Sequence, residues 1–117
     1  MAGVAERRKE KNTMGRFYVT TPIYYVNDVP HVGHAYTTII ADAINRFHKV
    51  MGDETYFLTG TDEHGQKIER KAEEEKMTPK AFVDSISTRF KEAWPQLDVV
   101  YDRFFRTTDE DHEAFVT

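Results

Sequence analysis

The sequence predicts an α/β protein, a parallel sheet with crossover helices of which only the first part is present. Three observations carry this expectation. Two short runs rich in β-branched and aromatic residues, Phe17–Thr21 and Thr55–Thr59, flank a stretch whose apolar residues recur every three or four positions. Strand, helix and strand together take about 45 residues, enough for a βαβ unit whose crossover makes its strands parallel. The remaining residues offer fewer strands than an open, doubly wound sheet needs.

Residues 1–15 have no apolar periodicity and end on Gly15, so they read as a flexible basic leader before a folded part at 16–117. Phe17 to Thr21 reads as a buried strand, ended by Pro22; Asn27-Asp28 and Pro30 then mark a loop. From about Gly33 to Met51 a helix is expected, with Ile39, Ile40, Ala43, Ile44, Phe47 and Met51 as its apolar stripe. Arg46 and Lys49 suit the negative end of its dipole, and Gly52 supplies a left-handed stop. Thr55 to Thr59 reads as a second buried strand, with Gly60–Gly65 as the loop that follows.

Gln66 to Lys76 reads as a short charged helix with mostly solvated faces. Thr78 caps the next helix, which has Pro79 at its first position and Phe82, Val83, Ile86, Phe90, Ala93 and Trp94 on its core face. Pro95 is expected to stop it. Val99-Val100-Tyr101 with Phe104-Phe105 supplies a short extended piece, and a last helix starts with Thr108 as N-cap and Asp109, Glu110 and Asp111 in its first turn. In the chain by itself, the faces of Ile39, Ile44, Phe82 and Phe90 are expected to be partly exposed.

Composition narrows the function classes. At 117 residues the chain holds one domain at most, and 39% apolar with 31% charged residues and a mean hydropathy of −0.65 exclude wholesale disorder. The charge-free run Phe17–Asn27 is about half of the roughly 20 residues a membrane-spanning helix needs. No cysteine is present, which excludes a disulfide scaffold or thiolate-bound zinc and fits the cytoplasm. The N-terminus lacks the apolar core of a secretory signal.

Net charge is −4, unevenly spread. Residues 1–16 hold five bases against two acids, or +3, and the other 101 hold 11 bases and 18 acids, or −7. So acidic a folded part is not nominated as a nucleic-acid binder by its charge.

The sharpest chemical feature is His31-Val32-Gly33-His34, placed after a strand and opening a helix. In an open α/β sheet, ligands gather at the carboxyl ends of the strands, where a helix N-terminus offers N–H groups to an anion. Gly33 removes a side chain where a phosphate would approach. Two imidazoles three residues apart can face the same ligand and donate hydrogen bonds as charge builds on phosphoryl oxygens. Alone, a pair of histidines at this spacing is weakly specific.

Its context is more telling. Pro22-Ile23-Tyr24-Tyr25-Val26-Asn27 leading into Pro30-His31-Val32-Gly33-His34 resembles the His-Ile-Gly-His region of class I aminoacyl-tRNA synthetases, in the form typical of the methionyl-tRNA synthetase family. Val32 replaces the isoleucine. A second block, Phe57-Leu58-Thr59-Gly60-Thr61-Asp62-Glu63-His64-Gly65, also resembles that family, and the likeness extends from Phe17 through Arg106-Thr107-Thr108.

The resemblance implies the first part of a Rossmann-like nucleotide-binding fold. It implies ATP-dependent activation of methionine to methionyl-adenylate, followed by transfer to the methionine tRNA. In this likeness His31, Gly33 and His34 hold and stabilise the ATP phosphates, with His31 and His34 the catalytic pair. Ile23 and Tyr25 border the methionine side chain, Asp62 accepts its ammonium group, and His64 orients neighbours. ATP is expected with magnesium, with no metal site within this chain.

The family's second signature, a Lys-Met-Ser-Lys-Ser loop, has no counterpart here, since Lys76-Met77 runs into Thr78-Pro79. The second half of the sheet, the connective region and the anticodon-binding domain also lack counterparts. The chain therefore reads as the N-terminal part of a catalytic domain, with the remainder of the synthetase polypeptide as a partner. One alternative is a stand-alone module that binds ATP or methionine without turnover. Another is a metal-dependent hydrolase using His31, His34, Asp62 and His64, disfavoured because no glutamate stands between the paired histidines.

Overall fold

A computed structural model describes residues 15–117. Apart from Gly15, the expected leader lies outside the described residues. The elements are β1 (Arg16–Thr20), β2 (Tyr24–Tyr25), α1 (Val32–Val50), β3 (Glu54–Asp62), α2 (Gln66–Glu74), α3 (Pro79–Gln96), β4 (Arg103–Arg106) and α4 (Glu110–Val116). All strand pairs are parallel, as the βαβ reading requires. β3 is central. Its Leu58 pairs with Thr20 of β1 and Arg103 of β4, and its Thr61 with Tyr24 of β2 and Arg106 of β4. β1 and β2 therefore follow one another along one edge of β3, and β4 takes the other.

Alternation along β3 sorts the side chains. Phe57, Thr59 and Thr61 face α1 and α3, and Phe57 is fully buried in a core with Phe82, Phe90 and Trp94. Thr59 shares a hydrogen bond with Thr21 (2.7 Å), and Thr61 with Ser87 of α3 (3.2 Å). The opposite face is barer: Tyr18 and Tyr56 are 58% and 44% exposed, their rings 6.1 Å apart. β1, expected to be buried, is thus an edge strand with alternate residues in the open.

Helix α1 buries the face that the apolar pattern did not mark. Thr38, Ala41, Asp42 and Asn45 point inward, while Ile39, Ile40, Ile44, Phe47 and Met51 are all at least 42% exposed. Long-range partners decide this. The Tyr24 hydroxyl meets Thr38 Oγ1 at 2.7 Å, and Val100 N–H donates to Asp42 Oδ1 at 3.1 Å. Exposure of Ile39 and Ile44 agrees with expectation; Phe82 (5%) and Phe90 (0%) are buried, because α3 turns its stripe onto Tyr24 and the sheet.

Three helices end in the same left-handed turn. After α1, Gly52 (φ 92°) donates to Lys49 and Asp53 to His48, as the Gly52 stop predicts. After α2 the turn falls on Lys76 (φ 56°), and after α3 on Asp98 (φ 57°). Pro95 therefore does not stop α3, which runs through it and closes with Asp98 N–H on Pro95 O and Val99 N–H on Trp94 O. At the start of α3 Thr78 caps as expected, its Oγ1 accepting from Ala81 N–H at 3.2 Å.

Three boundaries shift. β3 continues through Gly60, Thr61 and Asp62, placed in a loop by the sequence, because β4 pairs with Gly60 and Thr61 and β2 with Thr61 and Asp62; a side chain at Gly60 would collide with the Phe105 carbonyl. The extended piece begins at Arg103 rather than Val99. The last helix is capped at Asp109 instead of Thr108, and the Asp109 carboxylate accepts from Arg106 N–H at 2.9 Å.

Candidate functional site

The carboxyl ends of β2 and β3 and the start of α1 meet at one end of the sheet. Tyr24 and Tyr25 link them, because successive strand residues point to opposite faces. Tyr24 lies under α1, its ring 4.8 Å from His34 and 5.8 Å from Phe90. Tyr25, on the other face, is the register partner of Asp62.

His31 is the N-cap of α1 and His34 stands at its third position. Gly33 N–H donates to His31 Nδ1 (3.0 Å), and His31 N–H donates to His34 Nδ1 (3.1 Å), a reciprocal cap built from imidazoles. Both Nδ1 atoms act as acceptors, so each ring carries its proton on Nε2. The rings stack with centroids 3.8 Å apart. Burial first, and the His31 ring second, hold the His34 imidazole below the usual histidine range, so it is neutral at pH 7.

Gly33 acts through His31 as well as through open space. A Cβ there would lie 2.8 Å from His31 Cε1 and push the capping ring away. The free N–H groups expected at this helix start are partly taken, since Gly33 N–H serves the cap. What the motif offers outward is a pair of adjacent Nε2–H donors, suited to the oxygens of an anion.

Asp62 ends β3, half-buried, and its carbonyl accepts from Val26 N–H at 3.3 Å. Among the described residues no side chain pairs with its carboxylate. Ile23, two residues before Tyr25, is 40% exposed, and the Tyr25 hydroxyl lies against Gly65, whose φ of 138° admits no other residue without strain. The structure thus brings Tyr25 and Asp62 together and sets His31 with His34, while His64 is exposed.

A cleft of about 420 Å³ is lined by Glu63, His64, Lys80, Asp84, Arg106 and Thr108, and its walls include none of Ile23, Tyr25 and Asp62. A second, of about 330 Å³, runs from His31 and Val32 to Trp94 and Leu97. No group of three His, Asp or Glu side chains among the described residues is placed to hold a metal. No described helix is long and apolar enough to cross a membrane.

Sequence reasoning missed the network beside Asp62. Glu63, with no exposed side-chain surface, accepts two bonds from Arg106 Nε (2.8 and 3.0 Å) and one from Nη2, and the same Nη2 also donates to Asp84 Oδ1. These contacts raise the Arg106 pKa, chiefly through Glu63, and hold the Asp84 carboxyl below the usual range, chiefly through Arg106. No local signal ties residues 43 positions apart. Phe90, which packs edge-on against His34 with centroids 5.0 Å apart, was read as core only.

The start of α1 and a carboxylate that has no side-chain partner among the described residues thus stand at the carboxyl edge of a parallel sheet, where open α/β folds gather their ligands. The family described as tRNA synthetases class I (M) matches residues 17–117, and the chain belongs to it.

Methionine–tRNA ligase of Helicobacter pylori is 55% identical over 103 residues, which cover 88% of this chain and 16% of that protein. Methionine–tRNA ligase of Campylobacter jejuni is 59% identical over 99 residues, 85% of this chain and 16% of its own length. The chain therefore spans about a sixth of the length of these curated relatives. Among solved structures, Mycobacterium tuberculosis methionyl-tRNA synthetase in complex with methionyl-adenylate matches with a TM-score of 0.84 at 44% identity, covering 86% of this chain and 20% of that one.

Proposed function

We propose that residues 16–117 are the N-terminal part of the catalytic domain of a methionine–tRNA ligase. It activates methionine with ATP to methionyl-adenylate and passes the methionyl group to its tRNA. The observation that carries this reading is the presence, at the same end of the sheet, of two Nε2–H donors at the start of α1 and of a carboxylate at the end of β3 that has no side-chain partner among the described residues. The relatives point the same way, and one of the matched structures is a complex with methionyl-adenylate.

In this reading Asp62 accepts the ammonium of methionine in a charge-assisted bond, and Ile23 and Tyr25 border its side chain. His31, Gly33 and His34 line the phosphates, and the Nε2–H groups stabilise negative charge as it develops on the phosphoryl oxygens when the methionine carboxylate attacks the α-phosphorus, the α–β bond breaks and pyrophosphate leaves. A neutral His34 donates without adding repulsion toward His31. Magnesium, where bound with ATP, would neutralise phosphate charge. The tRNA and the remainder of the synthetase polypeptide are partners, and the cytoplasm is the proposed location.

The exposed stripe of α1 (Ile40, Ile44, Phe47 and Met51) and the bare Tyr18–Tyr56 face support a part of a larger domain over a stand-alone binding module. The test is methionine-dependent exchange of pyrophosphate into ATP, with methionine affinity measured alongside. Asp62→Ala should weaken methionine binding by about 10- to 100-fold, the worth of a hydrogen-bonded charge pair. Unchanged methionine dependence would overturn the assignment. Exchange by the chain alone that His34→Ala abolishes would make this half-sheet sufficient; a folded chain without exchange requires the remainder in trans.

A further inference from the structure

Two adjacent carboxylates at the end of β3 are treated in opposite ways. Asp62 has no side-chain partner among the described residues. Glu63, with its side chain wholly buried, accepts from Arg106, from Thr61 Oγ1 (2.9 Å) and from Thr108 Oγ1 (3.4 Å), while its N–H donates to Thr107 Oγ1 (2.8 Å). Its neighbours are pinned too: Thr61 reaches Ser87 of α3, and Thr107 N–H donates to the Thr61 carbonyl at 3.1 Å. The residues on both sides of Asp62 are therefore tied to α3 and β4, on the sheet face away from the Asp62 carboxylate.

We propose that Glu63 is a positioning residue for Asp62. Through Arg106 and Thr61 it fixes the backbone at the end of β3, and so presents the Asp62 carboxylate to a primary ammonium group. It also commits the guanidinium, the cation nearest in the β3–β4 ladder, to the opposite face. Arg106 is the register partner of Thr61, one residue from Asp62, and with Glu63 and Asp84 on it no charge is left over to quench the site. A buried charge is tolerated only when fully paired, so the bidentate geometry locks both partners and the strand end with them. This inference rests on the reading of Asp62 as the ammonium acceptor.

The test uses the 117-residue chain with Glu63→Gln and Asp62→Ala, singly and together. Free methionine is the titrant in calorimetry, and amide hydrogen exchange reports the backbone. In Glu63→Gln, exchange at Val26, whose N–H bonds the Asp62 carbonyl, should accelerate by about tenfold, and methionine affinity should fall by about as much. In the Asp62→Ala background, Glu63→Gln should lower affinity no further, because the first change has removed what the second acts through.

Equal losses in both backgrounds overturn the proposal, since Glu63 would then act by another route. Unchanged exchange at Val26 with unchanged affinity overturns it as well. Accelerated exchange with an affinity indifferent to both variants overturns the Asp62 reading, and the proposal with it. Should Glu63→Gln fail to fold, Thr61→Val, which removes one bond to Glu63 and one to Ser87, should move both readouts in the same direction by about threefold; no movement in either overturns the proposal.

Discussion

Replacing Arg106 by Met strands a carboxylate that has nowhere to go. Three exposures set the size of the effect: the side chains of Glu63, Arg106 and Asp84 are 0%, 28% and 43% exposed. Asp84 can turn to water, so its pairing with Arg106 counts as a near-surface ion pair, below about 1 kcal/mol. Glu63 cannot, and would keep only the hydroxyls of Thr61 and Thr108. Stranding a fully buried charge costs about 3–5 kcal/mol; the remaining hydroxyls and the opening left by the guanidinium put the loss near the lower end, at about 3 kcal/mol.

For a domain of this size, such a loss lowers the melting midpoint by about 12–20 °C. Urea unfolding at pH 7, followed by the fluorescence of the single tryptophan, the buried Trp94, reads it directly. Joining Glu63→Leu to Arg106→Met should restore most of the loss, because no buried charge is then stranded and Asp84 turns to water. A single variant that loses less than about 1 kcal/mol, or a double variant no better than the single one, would refute the reasoning.

Other perturbations test separate parts of the molecule. The folded-state pKa of His34 lies below the ordinary 6.5, so as pH falls through 6.5 the unfolded chain takes up a proton that the folded chain refuses. Stability from this group is full above that pH and declines below it until the folded pKa is passed. Proton NMR titration of the His34 ring should give a midpoint under 6.5, and His31→Ala should raise it; a midpoint at or above 6.5 contradicts the assigned burial and stacking. Gly60→Ala should part β3 from β4, since its Cβ meets the Phe105 carbonyl and lies 2.9 Å from the Phe105 ring, at a cost of about 1–3 kcal/mol in thermal unfolding. Gly33→Ala should displace the His31 ring and loosen the cap, a loss of about 1 kcal/mol that spares the sheet, which hydrogen exchange at β3 amides would confirm.

Much of this architecture is legible locally. Phe17–Thr21 and Thr55–Thr59 announce strands because β-branched and aromatic residues fit a pleated surface, and Thr78-Pro79 and Gly52 mark helix ends through one-residue chemistry. The histidine pair was legible as a place where a strand runs into a helix. Its internal wiring was not, since the direction of each imidazole depends on which backbone N–H it meets. The Gly60–Asp62 segment reads as loop in the sequence because its pairing partners, β4 and β2, are distant in the chain.

The sequence by itself determined the parallel βαβ plan, the order of its elements and the residue types at the carboxyl edge of the sheet, because these follow from periodicity, turn chemistry and connection length. Only the tertiary structure decided which face of α1 is buried. The apolar stripe of Ile40, Ile44 and Phe47 lost to Thr38, Asp42 and Asn45, because contacts with Tyr24 and Val100 orient the helix on the sheet. Only the tertiary structure, too, separated two neighbouring carboxylates into a clamped Glu63 and an Asp62 with no side-chain partner among the described residues. Alternation sends them to different surroundings, and what waits on each face is set by segments distant in the chain.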